Sequence, residues 1–258
     1  MTESNPTQQQ KQFRILVIGD DCKDIYQYGT IDRLSPEAPV PVFVPTRVEE
    51  RDGMAGNVAK NLRALGASVN YLHGETSTKT RLIDERSRQQ IVRIDNDVRS
   101  VPIEFATEIP TVYDAVVISD YNKGTVSYEL MEEIISQSQS GVKFPVFVDT
   151  KKTDLARLQG AWVKINELEY SKIKSECSGL IVTRGARGAS VIHHEIECSA
   201  IPVEVVDVTG AGDTFLAALT YWYLNTKNIL QSVRFAIQAS AITVQHVGVY
   251  APTLEELE

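Results

Sequence analysis

The sequence predicts an α/β fold built on a mostly parallel central sheet. Short apolar runs alternate with segments of helical period, and most of the runs are apolar throughout, as strands buried on both faces are. Their ends are polar and read Gly19-Asp20, Asp120, Asp149, Asn166 and Thr183-Arg184-Gly185. In open parallel sheets ligands bind beyond the carboxyl ends of the strands, so polarity collects where a site is expected.

The chain opens on MTESNPTQQQKQ, which is polar, has no apolar signal core and reads as a disordered tail over 1–12. Residues 13–258 are expected to form a single domain. RILVIG (14–19) is the first strand, and AGNVAKNLRALGA (55–67) is a helix with Val58, Leu62 and Leu65 on one face and Gly66 as its stop. SVNYLH, DAVVISD (114–120), a helix over about 127–139, FPVFVD (144–149), AWVKIN (161–166) and LIVTRG (180–185) continue the alternation. Two segments break it. YQYGTIDRLSPEAPVPVFVPTRVEE (26–50) is rich in proline and β-branched residues, leaves no room for a helix and predicts a small antiparallel flap with Val40–Val44 as an edge strand. TRLIDERSRQQIVRID (80–95) predicts further lid strands, joined by a turn at 84–87.

At 258 residues and 43% hydrophobic the chain can bury a sizeable core. A net charge of −8 with dispersed Lys and Arg speaks against a broad nucleic-acid or anionic-membrane surface. No apolar run reaches membrane-spanning length, so a cytoplasmic protein acting on small molecules is expected. Cys22, Cys177 and Cys198 are far apart and lack metal-site spacing, which reads as three reduced thiols. His193 and His194 are adjacent, so on a strand they face opposite sides and do not share a metal.

The chemistry is most visible in VVDVTGAGDTFLAAL (205–219). Gly210 and Gly212 allow a tight turn whose amides point outward, and a helix starting near Ala211 adds the positive end of its dipole, which makes an anion cradle. Asp213, in the first helical turn, is either a dipole-stabilising carboxylate or a general base facing that cradle. DVTGAGDTF resembles the C-terminal signature of the ribokinase-like (PfkB) sugar kinases, and DGMAGNVAKNLRALGA (52–67) resembles their N-terminal glycine motif. Between them NELE gives Asn166 and Glu169 the N-x-x-E spacing which that family associates with magnesium and phosphate. Within the family, RLSPEAPVPV (33–42), SDYNKGTV (119–126), VDTKKTDLARLQGA (148–161) and VTRGARG (182–188) are similar to stretches of the D-glycero-β-D-manno-heptose 7-phosphate kinases. Bifunctional members fuse that kinase to a nucleotidyltransferase, and the expectation here is the kinase domain alone, since no counterpart follows Glu258.

The resemblance implies a ribokinase-like fold, ATP and Mg²⁺, and transfer to the anomeric hydroxyl of the heptose phosphate, giving a 1,7-bisphosphate for surface-polysaccharide precursors. It implies Asp213 as the base and the amides of Gly210, Ala211 and Gly212 as the holders of the transferring phosphoryl group. Asp24, Gly53 and Asn57 match sugar ligands, with Asp120 and Lys123 nearby. Asn166 and Glu169 act on magnesium through water, while Asn166, Thr183, Arg184, Gly185, Asp207 and Thr209 belong to the nucleotide side. A homodimer paired through the lids is also implied. Read without the family, Asp24 and Asn57 are loop-end or helix-start residues, Asn166 and Glu169 belong to a helix start, and Lys123 is a loop charge. A phosphorylated sugar needs cations as well, and strand geometry can bring Lys79, Arg81 and Arg93 to one face of the lid.

Two departures concern the substrate side. Met54 stands where the subfamily usually has a second glycine, and only YLHGETST separates the first helical segment from KTR at 79–81, where the family carries a further helix and strand. A kinase for another sugar or nucleoside, or a catalytically silent binding homologue, therefore remain alternatives. The sequence has neither the G-x-G-x-x-G of a dinucleotide fold nor a P-loop.

Overall fold

The first strand does not stop at Gly19. In a computed structural model, which describes residues 12–104, 109, 112–140 and 143–257, it continues as β1 (Arg14–Thr30), 17 residues long. Residues 1–11, nearly all of the expected tail, lie outside the described residues. The continuation has partners on both sides. β2 (Val44–Gly53) runs antiparallel along Cys22–Thr30, and β3 (Ser68–Asp84) runs parallel along the whole strand. β4 (Gln90–Asn96) closes the lid antiparallel to β3.

The lid is therefore a four-stranded extension of two core strands, in the order β2-β1-β3-β4. The flap expected over 26–50 is present, but its edge strand begins at Val44 and not at Val40. Pro39 and Pro41 have no N–H to give a ladder, and a single bridge joins Leu34 to Pro41 instead. The missing helix and strand before residue 79 leave no gap, because β3 passes straight from floor to lid.

On the floor, β5 (Ala115–Asp120), β6 (Val146–Thr150), β7 (Trp162–Asn166) and β8 (Leu180–Thr183) extend the sheet in parallel from β1. β9 (Ala189–Val191) and β10 (Ile196–Cys198) add an antiparallel margin. His193 and His194 lie in a 3₁₀ turn rather than a strand, and they diverge, one toward Glu176 and the other toward Trp162.

Alternate residues of β1 feed two cores. Ile15 and Val17 pack with α1 (Met54–Ala64), α4 (Ala211–Thr226) and α5 (Ile229–Thr243), whereas Leu16 and Ile18 pack with α2 (Tyr128–Gln139). Helices on both faces account for strands without polar alternation. α2 starts where Ser127 Oγ accepts from the Leu130 amide, and α1 ends before Gly66, whose φ is +92°. This arrangement brings the carboxyl ends of β5, β6, β7 and β8 to one crevice, beside the point where β1 leaves the floor for the lid.

Candidate active site

Gly210 caps α4 with φ +80°, a left-handed value that a side chain adopts only with strain. A Cβ there would lie 2.7 Å from Asn57 Nδ2, so glycine serves both backbone and packing. The turn before it is tied by Asp207. Its Oδ1 accepts from the amide and hydroxyl of Thr209 at 2.9 and 2.7 Å, and its Oδ2 from the Gly248 amide at 2.8 Å. Burial alone would raise the Asp207 carboxyl, but these donors outweigh it and hold the group below the usual carboxylate range.

Asp213 follows one residue after the second glycine and is 5% exposed. Asn57 Nδ2, from α1, donates to its Oδ2, and Tyr121 Oη, from the loop after β5, donates to its Oδ1, both at 2.9 Å. Burial pushes its pKa up to about 6, with the nearby Asp149 adding to the rise and the donors and Lys164 opposing it. A carboxylate poised near neutrality is suited to accept a hydroxyl proton. Tyr121 is itself fixed, because Asp20 accepts from the amides of Tyr121, Lys123 and Thr125.

Asn166 and Glu169 meet as a capping box on α3 (Glu167–Tyr170), each side chain bonding the other's amide at 2.8 Å. The helix-start reading thus describes their geometry. Glu169 additionally pairs with Lys151, whose pKa is raised because Asp149 and Glu169 outweigh the opposing effect of burial. Lys164 pairs with Asp149 at 2.6 Å. No group of three metal-ligating side chains is assembled among the described residues. Asp149 Oδ1, however, is buried with no hydrogen-bond partner. One unspent hard oxygen near Glu169 fits magnesium, which takes few protein ligands and keeps its waters.

On the far side of the cradle a cavity of about 410 Å³ reaches from Thr183 and Gly185 to Ala211 and Gly212. Its walls are apolar, with Val205, Val208 and Val244 among them, as suits a nucleobase. Gly185 faces open space, while Arg184 turns away to Ser190, Glu197 and Glu167.

On the near side Asp24 lies against Gly53 and is 6% exposed. Arg81, from the lid, holds its Oδ1 at 2.6 Å. Arg51 and Arg81 both stack on Tyr26, whereas Arg93 faces Asp95. Asp120 is 1% exposed and taken up by Thr150, Lys152 and the Asn122 amide, and Lys123 pairs with Asp97. Met54 is buried with φ +49° at the first position of α1.

The structure therefore gathers Asn57, Gly210, Ala211, Gly212 and Asp213 at one point, with Asp24 and Gly53 on one flank and Thr183 and Gly185 on the other. Sequence reasoning missed Tyr121, Lys151 and Lys164. A lysine inside the apolar run WVKIN was the available signal for the last of these.

Phosphoryl transfer asks a protein mainly for position and electrostatics, and a crevice with these parts supplies both. Residues 51–256 match the profile of the pfkB family carbohydrate kinases, and the chain belongs to that family. It is a phosphotransferase of the sugar-kinase class. Among curated proteins, it is 36% identical over 304 residues to a bifunctional protein HldE from Nitratiruptor sp., covering 95% of this chain and 64% of the relative. A bifunctional protein HldE from Marinomonas sp. is 32% identical over 305 residues, with 96% and 64% covered. The chain thus spans slightly less than two thirds of these relatives. An alignment longer than the 258 residues of the chain also means that the relatives carry segments it lacks.

The fold is that of solved ribokinases. The Thermotoga maritima enzyme superimposes with a TM-score of 0.68 at 17% identity, covering 95% of this chain and 98% of the other. Arabidopsis thaliana ribokinase, solved with ribose and ATP, gives a TM-score of 0.68 at 17% identity over 96% and 98%. No helix among the described residues is long and apolar enough to cross a membrane.

Proposed function

We propose that the chain transfers the γ-phosphoryl group of ATP to the anomeric hydroxyl of D-glycero-β-D-manno-heptose 7-phosphate. The observation that carries this reading is Asp213, a buried carboxylate with a pKa near 6, one residue inside a helix N-terminus that can hold the transferring group. The nucleobase lies in the apolar slot, and the phosphates reach the amides of Gly210, Ala211 and Gly212. Asp24 and Asn57 orient the sugar so that its anomeric hydroxyl meets Asp213. Asp213 takes the proton as the oxygen attacks phosphorus, and the cradle stabilises charge on the equatorial oxygens. Asn166, Glu169 and Asp149 Oδ1 would hold magnesium, directly or through water, and the ion neutralises phosphate charge when bound.

The choice of a phosphorylated sugar is supported by the lid cations. Lys79 and Arg81 lie two apart on β3, opposite Asp24 and Tyr26 of β1, so the cations stand over the sugar end. The exposed Val44, Val48, Val92 and Ile94 give that lid an apolar surface, consistent with lid-to-lid pairing of two copies. A monomeric mass at assay concentration would contradict the dimer.

The test is ADP release with Mg-ATP and heptose 7-phosphate, ribose, fructose or fructose 6-phosphate, with Arg81→Met alongside. Turnover on the heptose phosphate, with KM raised at least about 10-fold by Arg81→Met, is expected from loss of a charge-assisted contact. Turnover on another sugar alone would keep the chemistry and replace the substrate. Nucleotide binding without turnover on any sugar would make the chain a silent homologue.

A further inference from the structure

Lys164 stands inside β7, between the buried apolar residues Val163 and Ile165. It is 4% exposed, and its ammonium is held by Asp149 Oδ2 at 2.6 Å. The other oxygen of that carboxylate has no donor. A buried ion pair seldom stabilises a fold more than apolar residues of the same volume, and an incompletely bonded one does so less. The position calls for a use, and its surroundings supply one. A Cβ on Gly212 would lie 2.9 Å from Lys164 Nζ, so the ammonium rests against the backbone of the third cradle residue. Glycine at 212 leaves that approach open. Lys151, the other lysine of the cluster, is already engaged by Glu169.

Resting on the nucleotide reading above, we propose that Lys164 is a further catalytic residue whose ammonium turns from Asp149 to the γ-phosphoryl group held at Ala211 and Gly212. Asp149 keeps the lysine aimed before the nucleotide enters. The cradle then sets a full positive charge beside the amide dipoles, in a crevice shielded from water, where such a charge acts most strongly. ADP lacks the group that Lys164 meets, so the residue distinguishes triphosphate from diphosphate.

The experiment is calorimetric titration of the full chain with Mg-ADP and with the Mg complex of the β,γ-imido analogue of ATP. Lys164→Gln removes the charge, is one atom shorter, and keeps an amide donor directed toward Asp149. Lys164→Met removes the ammonium and every polar atom of the side chain while leaving Asp149 in place, and thermal melts check folding of both variants. The expected result is a loss of about 10- to 100-fold in affinity for the triphosphate analogue, the range of a charge-assisted contact, with ADP affinity within about 2-fold of wild type. Equal losses for both nucleotides, unchanged affinity for both, or failure of both variants to fold would make the pair a structural strut and overturn the proposal. Wild-type protein that binds neither nucleotide would defeat the underlying kinase reading. Wild-type protein that binds both leaves the comparison between them to judge Lys164 alone.

Discussion

Replacing Asp213 by Asn separates what the residue does for catalysis from what it costs the fold. Its folded pKa of about 6 lies above the ordinary value of 3.8. Between those values the native state holds a proton that the unfolded chain has lost, so stability falls as pH rises. Above about pH 6 the full cost remains. A shift of about 2 units corresponds to about 3 kcal/mol at pH 7.5 and, by the same relation, about 1 kcal/mol at pH 4.5. Asparagine fits the site, because its carbonyl accepts from Asn57 Nδ2 while its amide donates to Tyr121 Oη, whose hydroxyl rotates. Asp213→Asn should therefore be more stable than wild type by up to about 3 kcal/mol at pH 7.5, with the gain shrinking toward acid. Turnover should fall by about 10² to 10⁴. Denaturant titrations at pH 4.5 and 7.5, beside ADP-release rates, provide the check. A stability difference that does not change with pH would refute the burial argument, and unchanged turnover would refute the base.

Wild-type turnover should decline below about pH 6 as Asp213 takes up its proton, read from a pH–rate profile. Tyr121→Phe removes a donor to the ionised carboxylate and should move that acidic limb upward by about 1 unit, given about 1.5 kcal/mol for such a bond; a fixed limb would deny Tyr121 its hold on the base. Gly210→Ala forces a strained φ and a clash with Asn57, and should cost about 1–3 kcal/mol in denaturant titration together with nucleotide affinity. Glu169→Gln retains an acceptor for the Asn166 amide but loses the charge, so the magnesium concentration giving half-maximal rate should rise while thermal stability changes little.

The parallel floor was legible because its strands are apolar throughout, and the cradle because two glycines and an aspartate open a helix-periodic run. The length of β1 and β3 was not. β1 is buried without a break over Ile15–Cys22 and only intermittently beyond, and β3 is partly exposed along nearly its whole length with Ser77 alone buried, so no single hydrophobic period runs through Arg14–Thr30 or Ser68–Asp84. The contacts around Asp213 join residues 57, 121 and 213, brought together only by the folded sheet. Asp24 and Asn57 were expected from resemblance alone; the ion pair to Arg81 and the bond to Asp213 are tertiary and leave no local signal.

The continuity of β1 and β3 has a mechanical meaning. No loop interrupts β1 or β3 where they pass from floor to roof, so along these two strands a tilt of the roof would have to be taken up as a change of twist, as in a leaf spring, and not at a hinge. Their pairing shifts register between Gly19 and Asp21, a local break in the ladder at the passage from floor to roof. Asp20 sits at that point and carries the loop of Tyr121, which in turn grips Asp213. Tyr121 and, through it, Asp213 are thereby tied by Asp20 to the point where floor becomes roof.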